Sequence, residues 1–344
     1  MHGWDFTEAE ILDAIRSHRL LNPAMELATN ACPWNCPFCF TEAPDNPAGQ
    51  KRRLQNELTL EERLSLIDQA ADLGTRTINF VGAGEPTIDP YFWTLLERMV
   101  HHGITPIVYS EGALRLSQPE FVRRLKGLGA TVVLKMNSLH DEEYQDSIVA
   151  GESSSKSIPR VNYTRLRNRA LDLLLSEGFA AHEPTRLAFD TIVTKRNISE
   201  IVELHRFARD QNIFVLLIHY LPSGRSTDKP EDAITKNELF ALFGRLADID
   251  KVEYGIEHRA TFPYAGGVPC SIRGLGLYTK IQGLAFDCPG ELHSLGNVRT
   301  EPLAEVWQRV RPITQHFNGG CLPRELAWRR LEQENVFVRQ DGRP

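Results

Sequence analysis

The stretch Leu60-Glu-Glu-Arg-Leu64-Ser-Leu-Ile67-Asp-Gln-Ala-Ala71-Asp-Leu73, followed by Thr77-Ile-Asn-Phe-Val81, decides how the fold is read. Leu60, Leu64, Ile67 and Ala71 recur at helical spacing, and Thr59 with Glu62 forms a capping-box signature ahead of them. The second part is short, apolar at its centre and bounded by Gly74 and Gly82, as a buried strand requires. Helix then strand within some twenty residues is half of a βαβ unit.

The same alternation extends in both directions. Strands are predicted at Met25–Thr29, Thr77–Val81, Ile104–Tyr109, Thr131–Met136, Arg186–Val193 and Ile213–Tyr220. Helices are predicted at Leu60–Leu73, Tyr91–His101, Glu120–Leu128, Arg165–Leu175 and Ile201–Arg209. Strands with apolar centres, separated by helices, imply a parallel sheet with helices outside it. Six such units are fewer than the eight of a closed barrel, so the expectation is a partial (β/α)6 barrel with a smaller α+β domain after it. The expected division is 1–24 as an N-terminal extension, 25–228 as the barrel and 229–344 as the second domain. Gly151-Glu-Ser-Ser-Ser-Lys-Ser157 reads as an insertion loop; it lacks the glycine before lysine and the leading strand of a phosphate loop. Lys51-Arg-Arg53 reads as a solvated charge run.

The chain has 344 residues, of which 42% are hydrophobic and 24% charged, which excludes a wholly disordered or collagen-like chain. Its formal charge of −6 disfavours a broad nucleic-acid surface, so no nucleic-acid partner is expected. No apolar run is long enough to span a bilayer and no secretory signal is visible at Met1–Glu8, so the expected location is the cytoplasm, with no membrane partner.

Six cysteines fall into two groups, Cys32, Cys36 and Cys39, then Cys270, Cys288 and Cys321. Clustered cysteines in a larger intracellular chain point to metal or redox chemistry rather than disulfides. The first group reads Cys32-Pro-Trp-Asn-Cys36-Pro-Phe-Cys39, a C-x3-C-x2-C spacing directly after the first strand. Soft thiolates converging from one loop suit an iron–sulfur cluster, and Pro33 and Pro37 keep the loop out of a regular helix. A zinc site or reduced thiols remain the alternatives on spacing alone.

This loop, with Phe38 before its last cysteine, resembles the signature of radical S-adenosylmethionine (SAM) enzymes. Val81-Gly-Ala-Gly-Glu85-Pro86 is similar to that family's Gly-Gly-Glu-Pro motif, with Ala83 inserted before the second glycine. The resemblance covers about Met25 to Arg225. It implies that Cys32, Cys36 and Cys39 hold a 4Fe–4S cube whose fourth iron is chelated by SAM. It also implies cofactor contacts at Phe38, Phe40, Gly82, Gly84, Glu85, Ser110, Asn137 and Arg225. One electron, from a flavodoxin or ferredoxin type of donor, would then cleave SAM to methionine and a 5′-deoxyadenosyl radical that takes hydrogen from substrate. Glu111 lies in Tyr-Ser-Glu-Gly, where relatives often carry Thr-Asn-Gly.

Cys270-x12-Gly283-x4-Cys288 encloses a predicted hairpin, Leu277–Lys280 and Leu284–Phe286. This spacing resembles the twitch or SPASM extensions of the same family, which implies a second 4Fe–4S cluster held by Cys270, Cys288 and Cys321. Full versions carry more cysteines than remain here.

Chemistry in strand–helix barrels sits at the C-terminal ends of the strands. The polar residues there include Glu111, Lys135, Asp190 and His219, the candidate catalytic set; each also has a bland reading as a strand-end hydrogen-bonding residue, and Lys135 and Asp190 could simply pair. The expected activity is hydrogen abstraction from a polar small metabolite (a sugar, aminocyclitol, aminoglycoside or nucleoside, as in antibiotic biosynthesis) leading to dehydrogenation or elimination. Radical epimerisation is the alternative if Cys321 is a free thiol donor. Peptide or protein maturation is a further one, disfavoured by the short segment before the first strand. A non-catalytic iron–sulfur protein would leave the cofactor motifs without a purpose.

Overall fold

A computed structural model describes residues 1–41, 51–150, 163–220, 225, 233–256, 275–287 and 293–310. Among these, six parallel strands form the frame: β1 (Ala24–Ala28), β2 (Thr77–Gly82), β3 (Thr105–Ser110), β4 (Thr131–Lys135), β5 (Leu187–Val193) and β6 (Phe214–His219). They pair in chain order, and the sheet stays open at β6. Helices α2 (Leu60–Asp72), α3 (Phe92–His101), α4 (Pro119–Gly127), α6 (Tyr163–Ser176) and α7 (Ile201–Asp210) connect them, preceded by α1 (Glu8–Arg16) and joined by α5 (Glu142–Ala150). The partial barrel expected from the sequence is therefore present. The capping box at α2 is formed as read, with Thr59 and Glu62 satisfying each other's backbone N–H.

The predicted hairpin is also present, as β7 (Tyr278–Thr279) and β8 (Leu284–Phe286), followed by β9 (Gly296–Asn297) and α9 (Leu303–Arg309). α8 (Lys236–Glu253) lies between barrel and hairpin. The hairpin does not stand apart. β7 pairs in parallel with β1, so a nine-stranded sheet runs β6-β5-β4-β3-β2-β1-β7-β8-β9. Buried Glu26 on β1 fastens this junction, accepting from the Tyr278 hydroxyl and from the Ile281 N–H at 2.9 Å.

Some features of the fold carry signals the sequence reading leaves aside. α1 is announced by its own capping box, Thr7 with Glu10. The segment before it closes the barrel at the N-terminal ends of the strands. Trp4 packs in the lumen against Ile107, Val133, Ala188 and Leu216, and its indole N–H donates to Asn79 at 2.9 Å. His2 and Gly3 carbonyls accept from Thr131 and Thr77 at the starts of β4 and β2. Among the described residues the N-terminal strand ends are thus covered, and the cysteine loop lies at the opposite, C-terminal ends. No helix among the described residues is long and apolar enough to cross a membrane.

Candidate active site

The chain leaving β1 is clamped by two buried carboxylates before it reaches the first cysteine. Asp89 accepts from the Thr29 N–H at 2.6 Å and from the buried guanidinium of Arg63 at 2.9 Å. Glu57 Oε1 accepts from the N–H groups of Asn30 and Leu54, at 2.8 and 2.9 Å. Beyond the clamp the Cys32 N–H donates to the Lys51 carbonyl at 3.0 Å and the Asn35 N–H to the Val149 carbonyl at 2.8 Å. Cys32, Cys36 and Phe38 then rest on a bed of Trp34, Ala113, Tyr144 and Tyr163. α5, absent from the sequence reading, supplies part of that bed.

The glycine loop after β2 docks on the same segment. Gly84 N–H donates to the Thr29 carbonyl and Glu85 N–H to the Ala31 carbonyl, each at 3.0 Å. A Cβ at Gly84 would lie 2.0 Å from the Ala31 carbonyl oxygen, and one at Gly82 the same distance from the Gly84 oxygen. The sequence reading ascribed these glycines to close approach of a cofactor. The nearer physical reason is that two stretches of this chain touch here with no room for a side chain.

Glu85 and Glu111 sit at the C-terminal ends of β2 and β3. Glu85 accepts four hydrogen bonds, from Thr87 N–H (3.2 Å), Thr87 hydroxyl (2.7 Å), Ser110 hydroxyl (2.8 Å) and Glu111 N–H (3.0 Å). Ser110 thus serves Glu85 directly. Burial still pushes the Glu85 carboxyl above the usual range, against the pull of those donors. Glu111 accepts from Ala113 and Leu114 N–H groups at 2.8 and 3.1 Å. Its carboxyl is raised to about 8, first by burial and then by the neighbouring Glu85 charge.

Lys135 and Asp190 are lateral neighbours on β4 and β5. They do not close on each other as an ion pair. The Lys135 ammonium lies 4.5 Å from the centre of the Phe38 ring, and Asp190 Oδ1 has no hydrogen-bond partner among the described residues. Burial raises the Asp190 carboxyl while Lys135 opposes the rise; burial, then the Asp190 charge, raises Tyr109 on β3. Asn137 caps the end of β4, accepting from Ile192 N–H at 3.0 Å, while its Nδ2 has no partner among the described residues. Arg225 reaches the cysteine loop: its N–H donates to the Cys39 carbonyl at 3.1 Å and its guanidinium to the Asn35 side chain. Phe40 is 43% exposed and stands 6.3 Å from Tyr278, ring centre to ring centre. His219 ends β6 opposite Val193, and its side chain lies outside the described residues. Cys270, Cys288, Cys321 and the insertion 151–157 lie outside them too.

One residue overturns its sequence reading. Lys51 is not solvated; it is 4% exposed, with its ammonium on the Ala83 carbonyl, the Thr41 hydroxyl and, at 3.7 Å, Cys39 Sγ. Arg52 and Arg53 behave as expected: both are exposed, Arg53 at 63% of its side chain and paired with Glu57. The flanking Arg52 and Arg53 hid it, since a run of charges gives no sign of which member turns inward.

The three thiols are half-buried. Enclosure by protein pushes Cys36 up to about 11 and Cys32 well above the normal thiol value. Such thiols ionise only when a strong cation offsets the cost, which iron does. Among the described residues no three His, Cys, Asp or Glu side chains close on a single ion. A cube asks for something else, one thiolate on each of three irons. In its chemistry, three soft thiols carried on one loop, the donor set fits an iron–sulfur cube.

Comparison with known proteins agrees with this geometry. A sequence model described as the radical SAM superfamily matches residues 27–208, more than half of the chain. An S-adenosylmethionine-dependent nucleotide dehydratase of Flammeovirga pacifica is 29% identical over 52% of this chain, a match spanning 55% of the dehydratase. The mycofactocin maturase MftC of Mycobacterium tuberculosis is 25% identical over 92% of this chain and 71% of its own. In fold, the chain is similar to Streptococcus suis SuiB bound to its precursor peptide SuiA, with a TM-score of 0.58, 17% identity and coverage of 87% of this chain and 68% of SuiB. With a cysteine loop, a docked glycine motif and an open parallel barrel all in register with that superfamily's match, the chain belongs to the radical SAM superfamily.

Proposed function

We propose that the chain directs radical SAM chemistry onto a polar small metabolite of the sugar, aminocyclitol, aminoglycoside or nucleoside class, ending in dehydrogenation or elimination. Cys32, Cys36 and Cys39 would hold the cube, with SAM on its open iron. When bound, these groups supply a 5′-deoxyadenosyl radical able to take hydrogen from carbon. The rest is done by the chain. Asn137 offers a free amide donor to the cofactor, Arg225 steadies the loop that carries the cysteines, and Phe38 and Phe40 present rings for the adenine. Glu85 and Ser110 keep the ends of β2 and β3 in step. The plug at Trp4 confines substrate to the cysteine side of the lumen.

The observation that carries the substrate reading is the separated pair of Lys135 and Asp190. They are neighbours by register, yet Lys135 is drawn onto Phe38 and Asp190 Oδ1 is left without a partner among the described residues. A buried carboxylate oxygen in that state favours a ligand that brings its own donor, a hydroxyl or an amine. Glu111, beside them at the lumen mouth, suits the same chemistry. The dehydratase relative, named for a nucleotide, lends support to a polar metabolite.

A peptide substrate is the second reading, favoured by the maturase whose match runs over 92% of this chain. Either reading accommodates a second 4Fe–4S cluster at Cys270, Cys288 and Cys321 within a twitch/SPASM-like domain, and the β7–β8 hairpin supports it. If Cys321 is instead a free thiol donor, epimerisation follows.

The test is deuterium transfer from labelled candidates into 5′-deoxyadenosine, run on metabolites and on peptides. Asp190→Asn should cut substrate turnover at least tenfold while leaving uncoupled 5′-deoxyadenosine formation within twofold. Equal loss of both, or transfer only from a peptide, refutes the metabolite assignment.

A further inference from the structure

We infer that Lys51 is the residue that sets the charge environment of the first cluster, by fixing the third thiolate and lowering the cost of adding an electron to the cube. The inference rests on the reading of Cys32, Cys36 and Cys39 as cluster ligands. Lys51 is tied to that site from both ends. Its carbonyl receives the Cys32 N–H at 3.0 Å, in a single antiparallel bridge between the two residues. Its ammonium lies 3.7 Å from Cys39 Sγ and also donates to the Thr41 hydroxyl and the Ala83 carbonyl. Those three acceptors match the three donors of an ammonium. Thr41 in turn donates to the Ala83 carbonyl at 2.7 Å and lies 3.3 Å from Cys39 Sγ. First ligand, third ligand and glycine loop thus meet at one side chain.

Among the described residues no carboxylate takes this ammonium as an ion pair; the buried Glu26 carboxyl feels its charge, and the ammonium's hydrogen-bonding partner of anionic character would be the Cys39 thiolate. Lys135 and Arg225 also weigh on the loop, but at Cys36, where they favour the charged thiol. Among the described residues, Lys51 is the cation that donates to Cys39 Sγ. A buried positive charge and an N–H···S hydrogen bond both favour the more negative, reduced state of an iron–sulfur centre, because the added electron is stabilised in a medium of low dielectric. The chemistry requires an electron to enter this cube, so the residue acts on the step that precedes SAM cleavage, as a positioning residue that touches neither substrate nor reacting carbon.

The experiment uses the full chain, reconstituted anaerobically, as wild type, Lys51→Gln and Lys51→Arg. The reduced cluster is followed by electron paramagnetic resonance in a redox titration, and the signal that changes on adding SAM marks the first site. At the wild-type midpoint, Lys51→Gln should show a reduced-to-oxidised ratio about tenfold lower, a fall of about 59 mV for a one-electron couple. Lys51→Arg should stay within twofold. A Lys51→Gln ratio within twofold of wild type overturns the inference. If Lys51→Gln fails to retain iron, Lys51→Arg decides: iron and midpoint restored support a cation at this position, and iron lost in both variants overturns it. A wild-type chain that binds no iron at all refutes the cluster reading instead, which is a distinct result.

Discussion

Asp89→Ala is the sharpest structural test of how the cysteine loop is mounted. Asp89 and Arg63 are 0% and 1% exposed at their side chains and 2.9 Å apart. Arg63 also donates to the carbonyls of Leu58 at 2.9 Å and Leu27 at 3.1 Å, so it cannot swing out to water without breaking β1's contacts. Removing the carboxylate strands a buried guanidinium, for which roughly 3–5 kcal/mol is typical. It also removes the acceptor of the Thr29 N–H at 2.6 Å, adding about 1 kcal/mol or more. The expected loss is therefore about 4–6 kcal/mol, read as a drop in urea midpoint of about 1 M or more for the cluster-free chain. Replacing both partners, Arg63→Met with Asp89→Leu, should recover most of the loss, because no unpaired charge remains. A midpoint for Asp89→Ala within 0.3 M of wild type (on the order of 1 kcal/mol) would refute the clamp as described.

Gly84→Ala should displace the first ligand segment, since its Cβ would stand 2.0 Å from the Ala31 oxygen; iron retained per chain after reconstitution should fall at least severalfold. Trp4→Ala should cost about 3–5 kcal/mol by emptying the plugged end of the lumen, measured by urea unfolding, and an unaltered midpoint would remove the plug from the account. Glu111 in the cluster-free chain should make stability fall as pH rises. Its folded value of about 8 lies above the ordinary carboxyl value of 4.5, so the folded state holds the extra proton between the two and loses that advantage as pH climbs towards 8. The stability of Glu111→Gln relative to wild type should therefore improve from pH 5 to pH 8, and a flat difference would contradict the assignment.

The barrel was legible because its signals are local and repeated. Leu60–Leu73 carried both period and cap, and the six strands had apolar centres that no helix of that length would need. The cysteine loop and the Gly82–Glu85 motif were legible because chemistry restricts the residue types there. What escaped depends on contacts between distant segments. Nothing near Tyr278 says that it will pair with β1, since that partnership is fixed by Glu26 some 250 residues earlier. Trp4 reads as an isolated aromatic until the lumen that needs a plug is assembled. Lys51 was misread for the same reason: its burial is decided by Ala83 and Cys39, which approach it only once the β1 and β2 loops have docked. Lys135 ends β4 as read, whereas Asp190 falls in the middle of β5 rather than at its end, because β5 runs on to Val193; that the two stay apart depends on Phe38, contributed by the loop above them.

The most direct test of the central claim is iron content and SAM cleavage measured together in the anaerobically reconstituted chain. Wild type should bind an iron–sulfur cluster and form 5′-deoxyadenosine on reduction, while Cys32→Ala, Cys36→Ala and Cys39→Ala should each lose about four irons, the content of one cube, and the product with them. A wild-type chain that takes up zinc in place of iron, or variants that still form 5′-deoxyadenosine at the wild-type rate, would contradict the account.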